Sequence, residues 1–225
     1  MNKALVVFGG WDGHEPVQVG QLCQAALQRN GFEVEMSDTL DAYCDGEKLK
    51  KLDLIVQCWT MGSIKREQLE PLLAAVRSGV GFAGCHGGSG DSFRQETEYQ
   101  FMVGGQWVAH PGNDGRRYTV NIIDQNAITS GLKDFEVKSE KYYMHVDPAI
   151  RVMATTSFED YGDALMPVTW TKTYGKGRVF YTSLGHHADI LAMPQSMQMM
   201  ERGMQWAAGQ WQTEIGLPFG KVYCK

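Results

Sequence analysis

The chain has 225 residues, of which 43% are hydrophobic and 21% are charged, and its formal net charge is −5. This composition is typical of a globular protein, and the acidic balance argues against a nucleic-acid-binding surface. No apolar stretch approaches the roughly 18 residues of a membrane-spanning helix, and the short apolar run at the N-terminus predicts a first strand rather than a signal peptide.

Strands and helices alternate in the first half of the sequence. Apolar runs predict strands at residues 3–8, 32–36, 53–58 and 80–84, and amphipathic patterns predict helices at residues 15–30 and 65–78. This order is typical of an α/β protein with a parallel sheet covered by helices. Such sheets bind ligands beyond the carboxyl ends of their strands, so we expect the site in the loops at residues 9–16, 59–64 and 84–94.

The second half is less regular, and we interpret the whole chain as one domain. Residues 91–103 are predicted to be helical, and strands are predicted at residues 119–124, 151–156, 166–172 and 178–182. A methionine-rich helix is predicted at residues 195–208, and its stripe of Met197, Met200, Met204 and Trp206 is interpreted as core packing. Residues 209–225 are predicted to form a loosely packed tail.

The five cysteines are scattered and form no CxxC motif: Cys23, Cys44, Cys58, Cys85 and Cys224. An odd number of widely spaced cysteines indicates free thiols in a reducing compartment, so we expect a cytoplasmic protein. Cys85 requires separate consideration because it follows a predicted strand. His86 and then two glycines come after it, as in a nucleophile elbow. A following helix N-terminus would lower its pKa, but cysteine is also a common small core residue, and both interpretations stay open.

All six histidines fall outside the predicted helices and strands: His14, His86, His110, His145, His186 and His187. Imidazole is the usual general acid or base in enzymes and the commonest transition-metal ligand. Several of these side chains, with Glu140, Asp147 or Asp189, would suit a divalent metal such as zinc or manganese. No HExxH motif is present, so spacing alone does not define a metal site.

Several segments together resemble the ThuA-like (trehalose utilisation) family. They are GCHGG (84–88) with DSFR (91–94), GGQWVAHPG (104–112), SEKYY (139–143), MPVTWT (166–171), and YGKGRVFY (174–181) through His186. The resemblance implies a flavodoxin-like, class I glutamine amidotransferase-like three-layer sandwich with a mainly parallel central sheet. It also implies a polar cluster formed by His86, Asp91, His110, Glu140 and His186.

The resemblance further implies a role in the catabolism of disaccharides such as trehalose. Such proteins often accompany sugar dehydrogenases that make 3-keto-glycosides, and a homo-oligomer is expected. In related thiol enzymes the elbow carries a catalytic cysteine, whereas ThuA-like proteins have an apolar residue there. The long match therefore favours His86 over Cys85 as the functional residue.

The first hypothesis is a lyase or hydrolase acting on a 3-keto-glycoside. His86 or Glu140 would remove the C2 proton, Arg94 or a metal would stabilise the enolate oxygen, and His186 would protonate the leaving oxygen. The expected metal ligands are His86, His110 and His186, and no nucleotide is expected. Sugar contacts are expected from Trp11, Trp59, Trp107, Tyr142, Tyr143 and His14.

Two other hypotheses remain open at this point. A thiol amidase or peptidase would use Cys85 with a histidine. A non-catalytic sugar-binding module would keep the fold without the chemistry.

Overall fold

A computed structural model describes residues 1–211 and 214–223. Its strands are β1 (Asn2–Gly10), β2 (Phe32–Ser37), β3 (Leu54–Thr60), β4 (Gly81–Cys85), β5 (Gly105–Ala109), β6 (Arg116–Ile122), β7 (Phe135–Ser139), β8 (Tyr143–Val146), β9 (Arg151–Phe158), β10 (Ala164–Tyr174), β11 (Gly177–Thr182) and β12 (Leu217–Pro218). Its helices are α1 (Pro16–Arg29), α2 (Gly46–Leu49), α3 (Arg66–Ser78), α4 (Gly87–Gly90), α5 (Thr97–Val103), α6 (Ala188–Ala192), α7 (Pro194–Ala207) and α8 (Phe219–Tyr223).

In the described part of the chain, ten strands form one mixed sheet. Its order is β2-β1-β3-β4-β11-β10-β9-β6-β7, with β12 paired to β9. The strands from β2 to β11 run parallel, and those from β10 to β7 are antiparallel to their neighbours. The predicted α/β sandwich with parallel central strands is therefore confirmed.

Helices cover both faces of the parallel half because its strands are apolar on both sides. On one face, Val19 and Cys23 of α1 and Met200 of α7 pack in one core cluster with Val6 and Val56. On the other face, the buried side chains of α3 and α5 pack in a second cluster. The predicted methionine packing is confirmed, because Met200, Met204 and Trp206 are buried and Met197 packs against the same core.

A separate two-stranded ribbon, β5 paired antiparallel with β8, places the segments that follow Ala109 and precede Tyr143 side by side. His110 comes directly after β5, and Tyr142 comes directly before β8. Neither ribbon strand is among the predicted strands, and His145 lies within β8 rather than in the predicted loop.

Two local predictions are wrong. The predicted helix at residues 91–103 begins only at Thr97, because Ser92 pairs with Met61 in a parallel bridge beyond β3 and Phe93 has a φ of +48°, which is incompatible with a right-handed helix. The predicted loose tail carries β12 and α8, and Ile215 is buried in the core. Cys224 lies outside the described residues. None of the described helices has the length and hydrophobicity needed to cross a bilayer.

Candidate active site

Three loops at the carboxyl end of the parallel strands bring three imidazoles together. His14 follows β1, His86 follows β4, and His186 follows β11 after a turn at Gly185, whose φ of +104° favours glycine. Glu140, which follows β7 in the chain, reaches the same place from the antiparallel half. All four side chains are buried.

The three imidazoles surround one carboxylate oxygen. His86 Nε2 lies 3.1 Å, His186 Nδ1 3.3 Å and His14 Nε2 3.8 Å from Glu140 Oε2. His86 Nε2 and His186 Nδ1 are 3.2 Å apart. These four ligand atoms all lie within 4.8 Å of one another.

The outer nitrogen of each imidazole faces an oxygen. His86 Nδ1 lies 2.8 Å from the Ser183 carbonyl oxygen, which can only accept a hydrogen bond. His14 Nδ1 lies 2.9 Å from Thr60 Oγ1. His186 Nε2 lies 3.6 Å from Asp114 Oδ1. Because His86 Nδ1 must carry the proton, its Nε2 presents a lone pair to Glu140. Outer contacts of this kind fix the tautomer and orientation of metal-binding histidines.

The electrostatics of the cluster match this arrangement. Burial lowers the pKa of His86 to about 3, so this imidazole is neutral at neutral pH. Burial alone would raise the pKa of Glu140, but the facing imidazoles of His14, His186 and His86 hold it well below its usual range. The cluster therefore combines at least one neutral imidazole with an ionised carboxylate.

The separations of the ligand atoms fit a small divalent ion. Tetrahedral zinc with bonds of about 2.0–2.1 Å has ligand atoms about 3.3–3.4 Å apart. The measured distances of 3.1, 3.2 and 3.3 Å are close to this value, and that of 3.8 Å is somewhat longer. His14, His86, His186 and Glu140 could thus hold zinc or a similar ion. The expected set of His86, His110 and His186 changes, because His110 lies outside this group and faces the other carboxylate oxygen, Oε1, at 3.6 Å.

The elbow residue is His86 and not Cys85. His86 has φ 45° and ψ −140°, between the end of β4 and the start of α4, a strained conformation for a residue with a side chain. Cys85 is the last residue of β4, and its side chain is 1% exposed within the core cluster below α1. Its burial argues against the expected role as a nucleophile, because reactive thiols are partly exposed.

Tyr142 packs against His86 with ring centroids 3.9 Å apart and near-parallel planes. The Tyr142 side chain is buried, so its ring faces are not available to stack on a sugar as expected. A Cβ at Gly87 would lie 3.0 Å from Tyr142 Oη and 2.5 Å from His14 Cε1. The phenol oxygen and the His14 ring therefore crowd the same point beside the elbow, where only glycine fits.

Asp91 and Arg94 form a second polar group. Arg94 Nε and Nη2 donate to the two oxygens of the buried Asp91 carboxylate at 2.6 and 2.8 Å. The guanidinium also lies over the Trp107 ring, 4.7 Å from its centroid. Trp107 therefore holds Arg94, and the covered face of its ring is not free for the expected contact with a sugar.

The other expected sugar contacts differ in exposure. Trp11 is 47% exposed and touches His14 edge-on, so it lies at the rim of the cluster. Trp59 packs beside the β1 glycines, where a Cβ at Gly9 would lie 2.5 Å from its ring. Tyr143 packs on Phe158, away from the imidazoles.

Several of the residues considered in the sequence lie elsewhere. Asp147 accepts a hydrogen bond from buried Lys172, and His145 is exposed on the ribbon. Asp189 accepts a hydrogen bond from the Ile190 backbone. His187, by contrast, lies at the edge of the cluster, where its ring packs on His186 with centroids 3.9 Å apart.

Sequence reasoning missed Asp114, which faces His186, and Glu15, which joins two of the loops that carry the cluster. The Glu15 carboxylate accepts a hydrogen bond from the Ala188 backbone N–H at 2.8 Å and so joins the loops of His14 and His186. Their position next to histidine-bearing loops is the one signal that could have identified them.

Comparison with known proteins agrees with this architecture. The family model for ThuA, described as trehalose utilisation, matches residues 3–207, which associates the chain with carbohydrate metabolism. No curated protein sequence matches the chain.

Solved structures show the same fold at low sequence identity. A ThuA-like protein from Parabacteroides merdae is 20% identical, with 96% of this chain and 94% of that chain covered and a TM-score of 0.74. A ThuA-like protein from Bacteroides uniformis is 16% identical, with 97% and 95% covered and a TM-score of 0.77. A β-galactosidase from Bacillus circulans is 17% identical, with 95% of this chain but 32% of that chain covered and a TM-score of 0.60.

Proposed function

The chain belongs to the ThuA family, and we propose that it is an enzyme of carbohydrate catabolism that cleaves 3-keto-glycosides with the help of a divalent metal. The observation that carries the proposal is the convergence of His14, His86 and His186 on one oxygen of Glu140. A binding module for neutral sugars has no need of four such groups in one buried cluster.

The proposed metal ligands are His14 Nε2, His86 Nε2, His186 Nδ1 and Glu140 Oε2. A zinc or manganese ion there would act as a Lewis acid toward the ketone of the substrate. The Ser183 carbonyl, Thr60 hydroxyl and Asp114 carboxylate would orient the three imidazoles.

His110 is the imidazole of the site left outside this ligand set, and we assign it the role of base in place of His86 or Glu140. Its Nε2 lies 3.6 Å from Glu140 Oε1, and its Nδ1 makes no hydrogen bond within the described residues. A ketone at C3 acidifies the C2–H bond, so His110 would take that proton. The C–H electron pair would form the C1=C2 double bond while the C1–O bond breaks.

The proton would then pass from His110 to the oxygen that leaves C1. The enzyme returns to its starting protonation state, and the products are an enone and the released sugar. Later addition of water to the enone would make the net reaction a hydrolysis. His186, expected from the sequence as the acid, is instead occupied on both ring nitrogens.

Arg94 and Trp11 are proposed to bind the substrate. The Asp91 carboxylate neutralises Arg94, so the pair suits the hydroxyl groups of an uncharged sugar better than a carboxylate or phosphate. Trp11, exposed beside His14, is a suitable platform for a sugar ring.

The cellular setting is proposed on the same grounds. Cys23, Cys58 and Cys85 are buried free thiols, which suits the reducing cytoplasm. A sugar dehydrogenase would supply the ketone at C3. A homo-oligomer remains a proposal from family resemblance.

The test is incubation of the purified protein with 3-keto-trehalose and 3-keto-glucosides in the presence of Zn²⁺ or Mn²⁺. We expect the wild type to release glucose from 3-keto-trehalose and the aglycone alcohol from 3-keto-glucosides. Release should be lost in His86→Ala and normal in the control His145→Ala, which changes an exposed histidine. Saturable binding without turnover would indicate a sugar-binding module instead. No binding and no turnover with either metal would contradict the proposal.

A further inference from the structure

A cleft opens between β6 and β9 because these strands pair over a small part of their length. Among the described residues, β6 pairs with β9 through Asn121 and Ile122 alone. Continuing this antiparallel register would place Thr119 opposite Ser157, but there the two strands diverge, and both residues line a cavity of about 590 Å³. This volume lies within the range of about 300–1,000 Å³ that is typical of small-molecule sites.

Lys141 lines this cleft although its side chain is only 4% exposed. Its ammonium donates a hydrogen bond to the Ser157 carbonyl oxygen and lies 4.5 Å from the centroid of the Phe158 ring and 5.7 Å from that of Tyr118. An ammonium has three donors, and within the described residues one of them has an acceptor at hydrogen-bond distance. The Glu159 carboxylate is farther away, at 3.7 Å. A buried cation with donors to spare points to an anionic ligand.

The buried charge of the cleft is positive, whereas its negative charges are exposed. Arg116 and Arg117 also line the cleft, and they pair with Asp160 at 2.9 Å and with Glu136 at 3.5 Å. The side chains of Glu136, Glu159 and Asp160 are between 64% and 66% exposed. Exposed ion pairs contribute little to stability, so an anion that enters the cleft can take the place of these carboxylates.

We propose that the cleft between β6 and β9 binds the phosphate group of a small molecule, with the Lys141 ammonium at its base and the guanidinium groups of Arg116 and Arg117 beside it. Phosphate offers several acceptor oxygens and matches the fork of a guanidinium. The cleft has room beyond one phosphate, and Thr119 and Asn121 there suit hydroxyl groups. A phosphate ester of a polyhydroxy compound therefore fits better than free phosphate.

This cleft adjoins the proposed active site without being part of it. Tyr118, which lines the cleft, donates a hydrogen bond from its hydroxyl to the Glu140 carbonyl oxygen at 3.1 Å. Lys141 follows Glu140 directly in the chain. The cleft and the imidazole cluster therefore share one short segment, but the ligand groups of the two sites are different.

The experiment is titration of the wild type with glycerol 3-phosphate, inorganic phosphate and glycerol, followed by calorimetry. We expect glycerol 3-phosphate to bind and glycerol not to bind. Lys141→Met should weaken binding about 10- to 100-fold, as for loss of one hydrogen bond to a charged acceptor. Glu159→Gln should strengthen it by up to about 5-fold, because the competing carboxylate is removed. The matched control is Lys48→Met, which changes an exposed lysine on α2 and should leave binding normal.

Arg117→Gln changes an exposed side chain, so it keeps the test decisive if Lys141→Met does not fold, and we expect about 10-fold weaker binding. Tighter binding of glycerol 3-phosphate than of inorganic phosphate would identify an ester as the ligand, and equal binding would identify free phosphate. Absence of binding by the wild type would overturn the proposal. Equal affinities of the wild type, Lys141→Met and Arg117→Gln would also overturn it, because the anion would then bind elsewhere. No keto sugar or added metal is used, so the result is independent of the proposed function.

Discussion

His86 Nε2 lies 3.1 Å from Glu140 Oε2 although the proton of the His86 ring is committed to the other nitrogen. Two acceptors at this distance repel each other unless a proton or a cation lies with them. A second proton is disfavoured because burial lowers the pKa of His86 to about 3. A divalent cation satisfies both atoms at once, which is the physical reason to place it there.

Metal analysis tests directly whether a divalent cation binds to His86 and Glu140. Protein purified without a histidine tag or chelator should contain about one equivalent of a divalent transition metal, and His86→Ala should bind it at least about 100-fold more weakly, since even outer contacts contribute 10- to 100-fold. His145→Ala should keep the metal, because His145 is exposed on β8. Elemental analysis after dialysis measures the metal retained by the wild type and by each variant. An equal metal content in the two variants would remove His86 from the ligand set.

Glu15 should influence the metal from outside the cluster. Its carboxylate accepts the Ala188 N–H at 2.8 Å, across 173 positions of the sequence, and thereby ties the His14 loop to the His186 loop. We expect Glu15→Ala to weaken metal binding about 10-fold, and Glu15→Gln, which keeps an acceptor oxygen, to restore most of it. Competition with a chromogenic chelator gives both affinities. If both variants bind metal equally weakly, the loss of affinity comes from the missing negative charge of Glu15 and not from the missing hydrogen bond to Ala188.

The fold was predictable where its signals are local. β1, β3 and β4 are short apolar runs with buried side chains. Gly31, just after α1, has a φ of +79°, the left-handed conformation in which glycine commonly ends a helix. The ribbon formed by β5 and β8 was not predictable in this way. Its residues mix exposed and buried positions, and its strands pair across about 40 positions of sequence, which no local pattern reports.

The site was predictable in part, for a similar reason. The loops after β1, β4 and β11 meet because parallel strands end at one edge, so His14, His86 and His186 were sound candidates. Glu140 follows an antiparallel strand at the far side of the sheet, so the residue pattern named it only as one of three acidic candidates, with Asp147 and Asp189, and family resemblance singled it out. The division of roles between His14 and His110 depends on distances of a few ångströms, which spacing along the chain does not encode.

Gly87 should be intolerant of any side chain. A Cβ there would lie 2.5 and 2.6 Å from Cε1 and Nδ1 of His14, so Gly87→Ala must displace the imidazole. We expect metal affinity to fall more than about 10-fold and stability to fall by about 1–3 kcal/mol, as for overpacking of a core. Gly220→Ala is the control, because a Cβ at that position meets no neighbour. Normal metal affinity of Gly87→Ala would show that His14 is not held where the structure places it.

Cys85 should be dispensable for activity. Its thiol is buried, and hydrogen bonds with the Cys23 and Cys85 thiols, together with burial, raise the pKa of neighbouring Cys58. Under native conditions iodoacetamide should label exposed Cys44 well before Cys85, as peptide mass spectrometry can measure. Cys85→Ala should keep full activity and lose about 1 kcal/mol of stability. Rapid labelling of Cys85 with loss of activity would revive the thiol mechanism.

Acid should destabilise the chelator-treated protein through His86. The pKa of His86 is about 3 in the folded protein against an ordinary value of 6.5, so between these values the unfolded chain binds a proton that the folded chain does not. The free energy of unfolding therefore falls as pH decreases through this window, by up to about 1.4 kcal/mol per pH unit. Glu140 faces His86 and acts in the same direction, but only as pH falls below about 4.5, where its unfolded form takes up a proton.

The contribution of His86 can therefore be isolated between about pH 5 and pH 6. Urea unfolding at several pH values gives the free energy of unfolding of the wild type and of His86→Gln. In this range we expect that free energy to depend on pH more steeply in the wild type, by a slope equivalent to nearly one proton. His145→Gln is the matched control, because it makes the same substitution at an exposed position outside the cluster. Parallel slopes for the wild type and His86→Gln would mean that the His86 imidazole is protonated in the fold. In that case a hydrogen bond from protonated Nε2 to Glu140 would replace the cation as the partner of these two atoms.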